Sequence, residues 1–277
     1  MDMPTFDAYG PREIAERVEA AGVTKARLPT LQTLMLGIVA GGFIGLGALY
    51  FTLVISDAAL PFAAARVLGG VVFSLGLVLV VIAGAELFTG NNLIVMAWAD
   101  GRVTTSELLR NWLLVYVANA IGAIGLALVV YFSHHASMNG GAIAAAYVKI
   151  AAAKSALPFG EAFFKGVLCN LLVCLAVWIA LAGRSVTDKI LAIVFPISAF
   201  VAAGFEHSIA NMYFIPLGIF LKDSVTLPAG INTAALDWSG FAANLIPVTL
   251  GNIVGGSVMV ALVYFVIYRY PARKDSQ

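Results

Sequence analysis

The stretch Gly84-Ala85-Glu86-Leu87-Phe88-Thr89-Gly90-Asn91 and the stretch Gly204-Phe205-Glu206-His207-Ser208-Ile209-Ala210-Asn211 share one pattern, G-x-E-x-x-x-x-N. Each lies inside a long apolar run and interrupts it with glycine and a carboxylate. The next apolar run in each case carries N-x-x-G: Asn119 with Gly122, and Asn252 with Gly255. A membrane-spanning helix needs about 20 mainly apolar residues. Six stretches qualify, at roughly 31–56, 66–99, 108–132, 160–183, 188–220 and 240–268. The two octads fall in the second and the fifth, which are longer than one crossing requires. Three segments separate the copies, an odd number, so the second copy crosses in the opposite sense. The expected fold is therefore an all-α membrane protein of six transmembrane helices in an inverted 3+3 repeat, with the second and fifth helices broken. Interrupted segments at matching places in two inverted halves point to a pathway at the membrane midplane.

Composition supports this reading and excludes others. Of 277 residues, 61% are hydrophobic and 11% charged, and the mean hydropathy is +0.95. Soluble domains carry roughly 25% charged residues, so a soluble enzyme and a disordered chain are both excluded. A net charge of +1 leaves no basic surface for nucleic acid. Cys169 and Cys174 lie in one apolar run on different helix faces and imply no disulfide framework. Residues 1–30 form a charged segment without a signal-peptide core, in which Pro11 to Ala26 reads as a polar or amphipathic helix outside the bilayer. Eleven Lys+Arg fall in the two tails and the 2–3 and 4–5 connections, against five (Arg66, Lys149, Lys154, Lys165 and Lys222) on the other side. By the positive-inside rule both termini are cytoplasmic. The organisation expected is a cytoplasmic segment at 1–30, a channel domain at 31–268 and a cytoplasmic tail at 269–277. The longest outside connection, 133–159, reads as an Ala- and Gly-rich loop in which His134 and His135 are solvated and bind no metal.

The breaks have the chemistry a small anion needs. Unwound backbone is tolerated at membrane depth only where it is buried in protein or lines a cavity, and the half-helices that follow would aim N–H groups and positive dipole ends inward. Thr89 adds a hydroxyl donor, and His207 a group that is neutral or cationic near neutral pH. An ionised carboxylate at the bilayer centre costs about 2.5–3.5 kcal/mol, so Glu86 and Glu206 are expected to be paired or to accept backbone N–H groups. Other residues have two readings from spacing alone. Phe73, Leu77, Leu87 and Phe200 read as lipid-facing or core packing; Asn170 lines a pore or bridges two helices; Lys154 and Lys165 collect anions at an outer mouth or are ordinary interfacial lysines.

At these residues the chain resembles the formate/nitrite transporter family, most closely its formate channels. The matching stretches include Phe73-Ser74-Leu75-Gly76-Leu77, Ala85 to Val95, Arg110-Asn111-Trp112, Cys174 to Trp178, Gly204 to Met212 and Asn244 to Asn252. The resemblance runs from about residue 30 to 268 and implies an aquaporin-like six-helix protomer, a homopentamer, and one pore through each protomer. It also implies that Thr89 and His207 come from the two break loops, which contain Glu86, Gly90, Asn91 and Gly204. Phe73 and Phe200 would form the outer constriction, and Leu77 and Leu87 the inner one, with Val173 nearby. Lys154, which falls in the loop, Asn170, Glu206 and Asn211 would surround the histidine. Glu86 replaces the Asp frequent in formate channels, and Gly90-Asn91-Asn92 replaces small hydroxyl residues.

The expected function is a channel for small monovalent anions, formate before nitrite or hydrosulfide, in the bacterial inner membrane. Proton transfer from a protonated His207 would let the neutral acid pass the constriction. No cofactor is expected. The paired Asn-Pro-Ala signature of a neutral-solute aquaporin is absent, since Met212 follows Asn211 and Asn92 follows Asn91. No nucleophile–base pair or metal cluster suggests an intramembrane enzyme.

Overall fold

The computed structural model describes residues 8–227 and 230–270; Asp2, Asp7, Arg273 and Lys274 of the two tails lie outside the described residues. The described residues form helices and connections, with no strand among them. In chain order the helices are α1 (Pro11–Ala26), α2 (Thr30–Ile55), α3 (Phe62–Gly84), α4 (88–99), α5 (Thr105–Phe132), α6 (Ala142–Ser155), α7 (Phe159–Ala180), α8 (Val186–Ala203), α9 (Ser208–Leu221) and α10 (Trp238–Tyr268). Helices α2, α3, α5, α7, α8 and α10 are long and apolar enough to cross a membrane. Proline starts α2, α3 and α7, with Pro29, Pro61 and Pro158 at their N-caps, where its missing N–H is no loss. Thr104 with Glu107 and Ser185 with Asp188 form capping boxes that start α5 and α8.

The N-x-x-G pattern has a packing role. A Cβ on Gly122 would run into the Ile38 carbonyl oxygen of α2, and one on Gly255 into the Val167 carbonyl oxygen of α7. Glycine at these positions lets α5 close on α2 and α10 on α7, backbone against backbone, as small residues do between membrane helices.

Helix α1 has the expected bounds, and it is fastened. Ile14, Ala15 and Val18 are buried with Leu93, Ile94 and Phe265. Glu19 is fully buried and pairs with Arg102 at 2.8 Å and Arg269 at 2.7 Å. Burial alone would raise its pKa. A hydrogen bond shared with Asp100, the hydrogen bond from Arg102, and the charges of Arg269 and Arg102 outweigh burial and hold it below the usual carboxylate value.

One sequence reading is corrected. The 133–159 connection is no loop: it contains α6, whose Ile143, Tyr147, Val148 and Ala151 are buried. Its 14 residues are too few to cross a bilayer, so a search for spanning runs passes over it. Lys154 therefore sits in the last turn of a packed helix. His134 is exposed, as expected, and takes a left-handed φ of 57°.

Candidate functional site

Two helix interruptions organise the centre of the molecule. Helix α3 ends in a π-helical turn, Leu79–Gly84, a distortion that is frequent at functional sites. Gly84 takes φ 85° and Ala85 is extended; helix resumes at Phe88. Helix α8 ends at Gly204 with φ 77°, and helix resumes at Ser208. Both glycines occupy the left-handed region, which a side chain resists.

Each interruption is held by the same side chains at corresponding positions. At the first, Glu86 pairs with Lys25 and also accepts from Asn91 Nδ2 at 2.7 Å. Asn91 Nδ2 donates to Asn111 Oδ1 at 2.9 Å, and Asn111 Nδ2 donates to the Lys25 carbonyl at 3.0 Å. At the second, Glu206 pairs with Lys154 at 2.9 Å and accepts from Asn211 Nδ2 at 2.6 Å. Asn211 Nδ2 donates to Asn244 Oδ1 at 2.7 Å, and Asn244 Nδ2 donates to the Lys154 carbonyl at 2.9 Å. Four residues close a ring in each case. The intramembrane carboxylates are thus paired with lysines; they do not cap the half-helices.

The caps come from the N-x-x-G asparagines. Asn119 Oδ1 accepts from the Phe88 N–H at 2.9 Å, while its Nδ2 donates to the Gly37 and Glu86 carbonyls. Asn252 Oδ1 accepts from the Ser208 N–H at 3.0 Å, while its Nδ2 donates to the Gly166 and Glu206 carbonyls. Each asparagine satisfies one orphan donor of a helix start and one carbonyl of the interruption, Glu86 or Glu206, and ties both to a carbonyl of the neighbouring helix, Gly37 of α2 or Gly166 of α7.

Between the loops, Thr89 Oγ1 lies 3.0 Å from His207 Nε2, both side chains buried. The other ring nitrogen, Nδ1, accepts from the Ala210 N–H at 3.1 Å. In the neutral ring the proton is therefore on Nε2, donating to Thr89 Oγ1, and the threonine hydroxyl hydrogen is left for another acceptor. Phe200 stacks on the His207 ring with centroids 6.0 Å apart, and Phe73 meets Phe200 edge-on at 5.8 Å.

The pair separates two cavities. One, of about 570 Å³, is lined by His207, Phe73, Phe200, Gly204, Glu206 and Lys154. The other, of about 430 Å³, is lined by Leu77, Leu87, Gly90, Glu86, Asn91 and Lys25. Thr89 and Val173, 0% and 2% exposed, line neither cavity. Asn170 bridges: its Nδ2 donates to the Thr89 carbonyl, to Asn92 Oδ1 and to the Asn252 carbonyl, so it ties the first loop to the asparagine that holds the second. Asn211 likewise spends its Nδ2 within its ring, while the buried Oδ1 atoms of Asn170 and Asn211 accept no hydrogen bond from the described residues. Among the described residues no group of His, Cys, Asp or Glu is arranged to hold a metal.

Sequence reasoning missed Lys25, Asn111 and Asn244 as members of the rings. A signal was present. Lys25 precedes Gly37 by the spacing that separates Lys154 from Gly166, and both halves read N-x7-N-x-x-G, at Asn111 to Gly122 and Asn244 to Gly255.

Residues 12–266 match the sequence model of a family described as formate/nitrite transporter. The chain is 43% identical over 272 residues, 95% of each protein, to the formate channel FocA of Escherichia coli strain K12. It is 39% identical over 264 residues to the formate channel FocA of Haemophilus influenzae, covering 92% of this chain and 93% of that one. Among solved structures it is similar to a pentameric formate channel with formate bound, at 40% identity and a TM-score of 0.79, over 86% of this chain and 97% of that one. It is also similar to an FNT family ion channel, at 30% identity and a TM-score of 0.81, over 92% and 98%.

Proposed function

The chain belongs to the formate/nitrite transporter family, and from that premise we propose that it is a formate channel of the bacterial inner membrane. The observation that carries this reading is the buried Thr89–His207 contact between two cavities, in a chain whose similar proteins are named formate channels. The pathway runs from one cavity past Phe73 and Phe200, through Thr89 and His207, and past Leu77 and Leu87 to the other, with Val173 beside it. Lys154–Glu206–Asn211, Glu86–Asn91 and Asn170 hold the loops that present the pair, and Gly90 and Gly204 shape them. It assembles as a homopentamer, as the similar solved channel does by its title. Both termini are cytoplasmic: Arg269, just past α10, pairs with Glu19 of α1, which supports placing them on one face. The chain is a membrane channel without enzymatic activity, made of a terminal segment at 1–30, the channel at 31–268 and a tail at 269–277.

In this mechanism the anion loses water between apolar walls, where an unpaired charge is prohibitively expensive. The Thr89 hydroxyl, whose oxygen is occupied by His207 Nε2–H, turns its hydrogen to a carboxylate oxygen. Neutralisation by a proton removes the remaining cost. An imidazolium at His207 passes one proton to formate, giving neutral imidazole and formic acid; the acid releases that proton to water beyond the constriction, and the imidazole takes up another from water. In the present geometry the extra proton would sit on Nδ1, against the Ala210 N–H. Cycling through the cation therefore requires the ring to turn or that hydrogen bond to open. Labelled formate uptake into proteoliposomes tests the reading: His207→Phe that leaves uptake and its pH dependence unchanged would sink it, and uptake of nitrite in preference to formate would reassign the substrate.

A further inference from the structure

Glycine at the helix interruptions has a reason in the backbone, and glycine in their supports a reason in packing. Gly84 and Gly204 take positive φ, and a Cβ on Gly122 or Gly255 would run into a carbonyl oxygen. Gly90 has neither reason. It lies in the first turn of α4 and is not among the residues with positive φ. Among the described residues, a Cβ built there meets only Val177 Cγ2, at 3.7 Å, an ordinary van der Waals contact. Alanine would suit both the backbone and the neighbours, and glycine is the less stable choice in a helix. What glycine provides at 90 is space. The residue is half-buried in the wall of the Leu87-side cavity, next in sequence to Thr89 and facing Val177 of α7. The wall around it is apolar, with Leu77, Leu87 and Leu93, and the two charged lining residues, Lys25 and Glu86, are paired with each other. The corresponding residue of the second loop, Ala210, carries a Cβ at the His207-side cavity.

We propose that Gly90, with Val177 opposite, is a size-determining position of the pathway: the room for one methyl group beside Thr89 takes the alkyl substituent of a monocarboxylate larger than formate, such as acetate, while its carboxylate stays at the Thr89 hydroxyl. This inference rests on the formate-channel reading. Formate carries only hydrogen on its carboxyl carbon and makes no use of the space. Acetate carries a methyl group there, which leaves water for dispersion contacts with the apolar wall. A methyl group on residue 90 fills the same volume, so side chain and substituent exclude each other. One carbon more or less in an apolar pocket is worth about tenfold or more in discrimination.

The test uses the full chain in proteoliposomes at one pH. Initial uptake of labelled formate and of labelled acetate is measured in parallel, with the uptake of protein-free vesicles subtracted, and the thermal unfolding midpoint is taken in detergent. Wild type is expected to take up both anions. Gly90→Ala lowers the acetate-to-formate ratio about tenfold without lowering the midpoint, and Val177→Ala, which widens the gap from the other side, raises the ratio. In the Val177→Ala background Gly90→Ala lowers the ratio by much less than about tenfold, the non-additivity of two side chains that share one space. An unchanged ratio in Gly90→Ala, a proportionate loss of both uptakes with a fallen midpoint, strictly additive single changes, or a wild type that takes up formate but no acetate overturns the assignment of Gly90 and leaves the formate channel standing. Wild-type formate uptake no greater than that of protein-free vesicles overturns the channel reading and this inference with it.

Discussion

Lys25, Glu86, Asn91 and Asn111 around the first interruption make the same ring as Lys154, Glu206, Asn211 and Asn244 around the second, yet the two loops differ at the positions that meet. The position after the carboxylate is Leu87 in one and His207 in the other. Two residues further on, Thr89 stands opposite Ile209. The frame is duplicated and the Thr89–His207 pair is not: one loop contributes the hydroxyl, the other the imidazole, and they meet at 3.0 Å. Substitutions in the rings should therefore act on stability in matched pairs, and substitutions at Thr89 and His207 on transport.

The largest effect is expected at the lysines. Removing one partner of a buried ion pair costs about 3–5 kcal/mol. Lys154 is 15% exposed in its pair and Lys25 33%, so Lys154→Met should lower the thermal unfolding midpoint in detergent more than Lys25→Met; the reverse order would break the correspondence. Next come Asn119→Leu and Asn252→Leu. Each leaves one N–H and one interruption carbonyl, Glu86 or Glu206, without its side-chain partner, at roughly 1–3 kcal/mol for an unsatisfied buried group, and the two midpoints should fall by similar amounts. Thr89→Val keeps shape and removes the hydroxyl. Formate flux should drop about tenfold, equivalent to about 1.4 kcal/mol, with little change in midpoint.

The smallest effect concerns pH and α1. Glu19 has a folded pKa below 4.5, so its contribution is fully present above the unfolded value and is lost as pH falls through the lower folded value. Hydrogen exchange of α1 corrected for intrinsic rates should stay flat from pH 8 to about 5 and rise only at more acid pH, whereas Glu19→Gln should show fast exchange already at pH 7.

The fold was legible where the pattern was local. Six apolar runs and the octads carried by Gly84 and Gly204 mark the spans and the places where helix stops, and Pro11 marks the start of α1. The 14 residues of α6 fail any length criterion for a crossing, and only packing against α9 makes them a buried helix. The site was legible in its residues but not in its bonds. Thr89 and His207 lie 118 positions apart, and Lys25 and Glu86 61 apart, so the contacts are made by helix packing alone. Asn170 shows the limit most clearly. An asparagine in an apolar helix suits a pore wall or a bridge equally, and three acceptors around its Nδ2 make it a bridge.

The most direct test of the asymmetric pair on a symmetric frame is the pH profile of labelled formate uptake into proteoliposomes by wild type, His207→Phe and Leu87→Phe. Wild type should show uptake with a pH dependence of its own, His207→Phe should lose most of the flux together with that dependence, and Leu87→Phe should reduce flux while keeping the shape of the profile. A His207→Phe profile matching wild type, or Leu87→Phe altering the profile as His207→Phe does, would contradict a proton-exchanging role confined to the second loop.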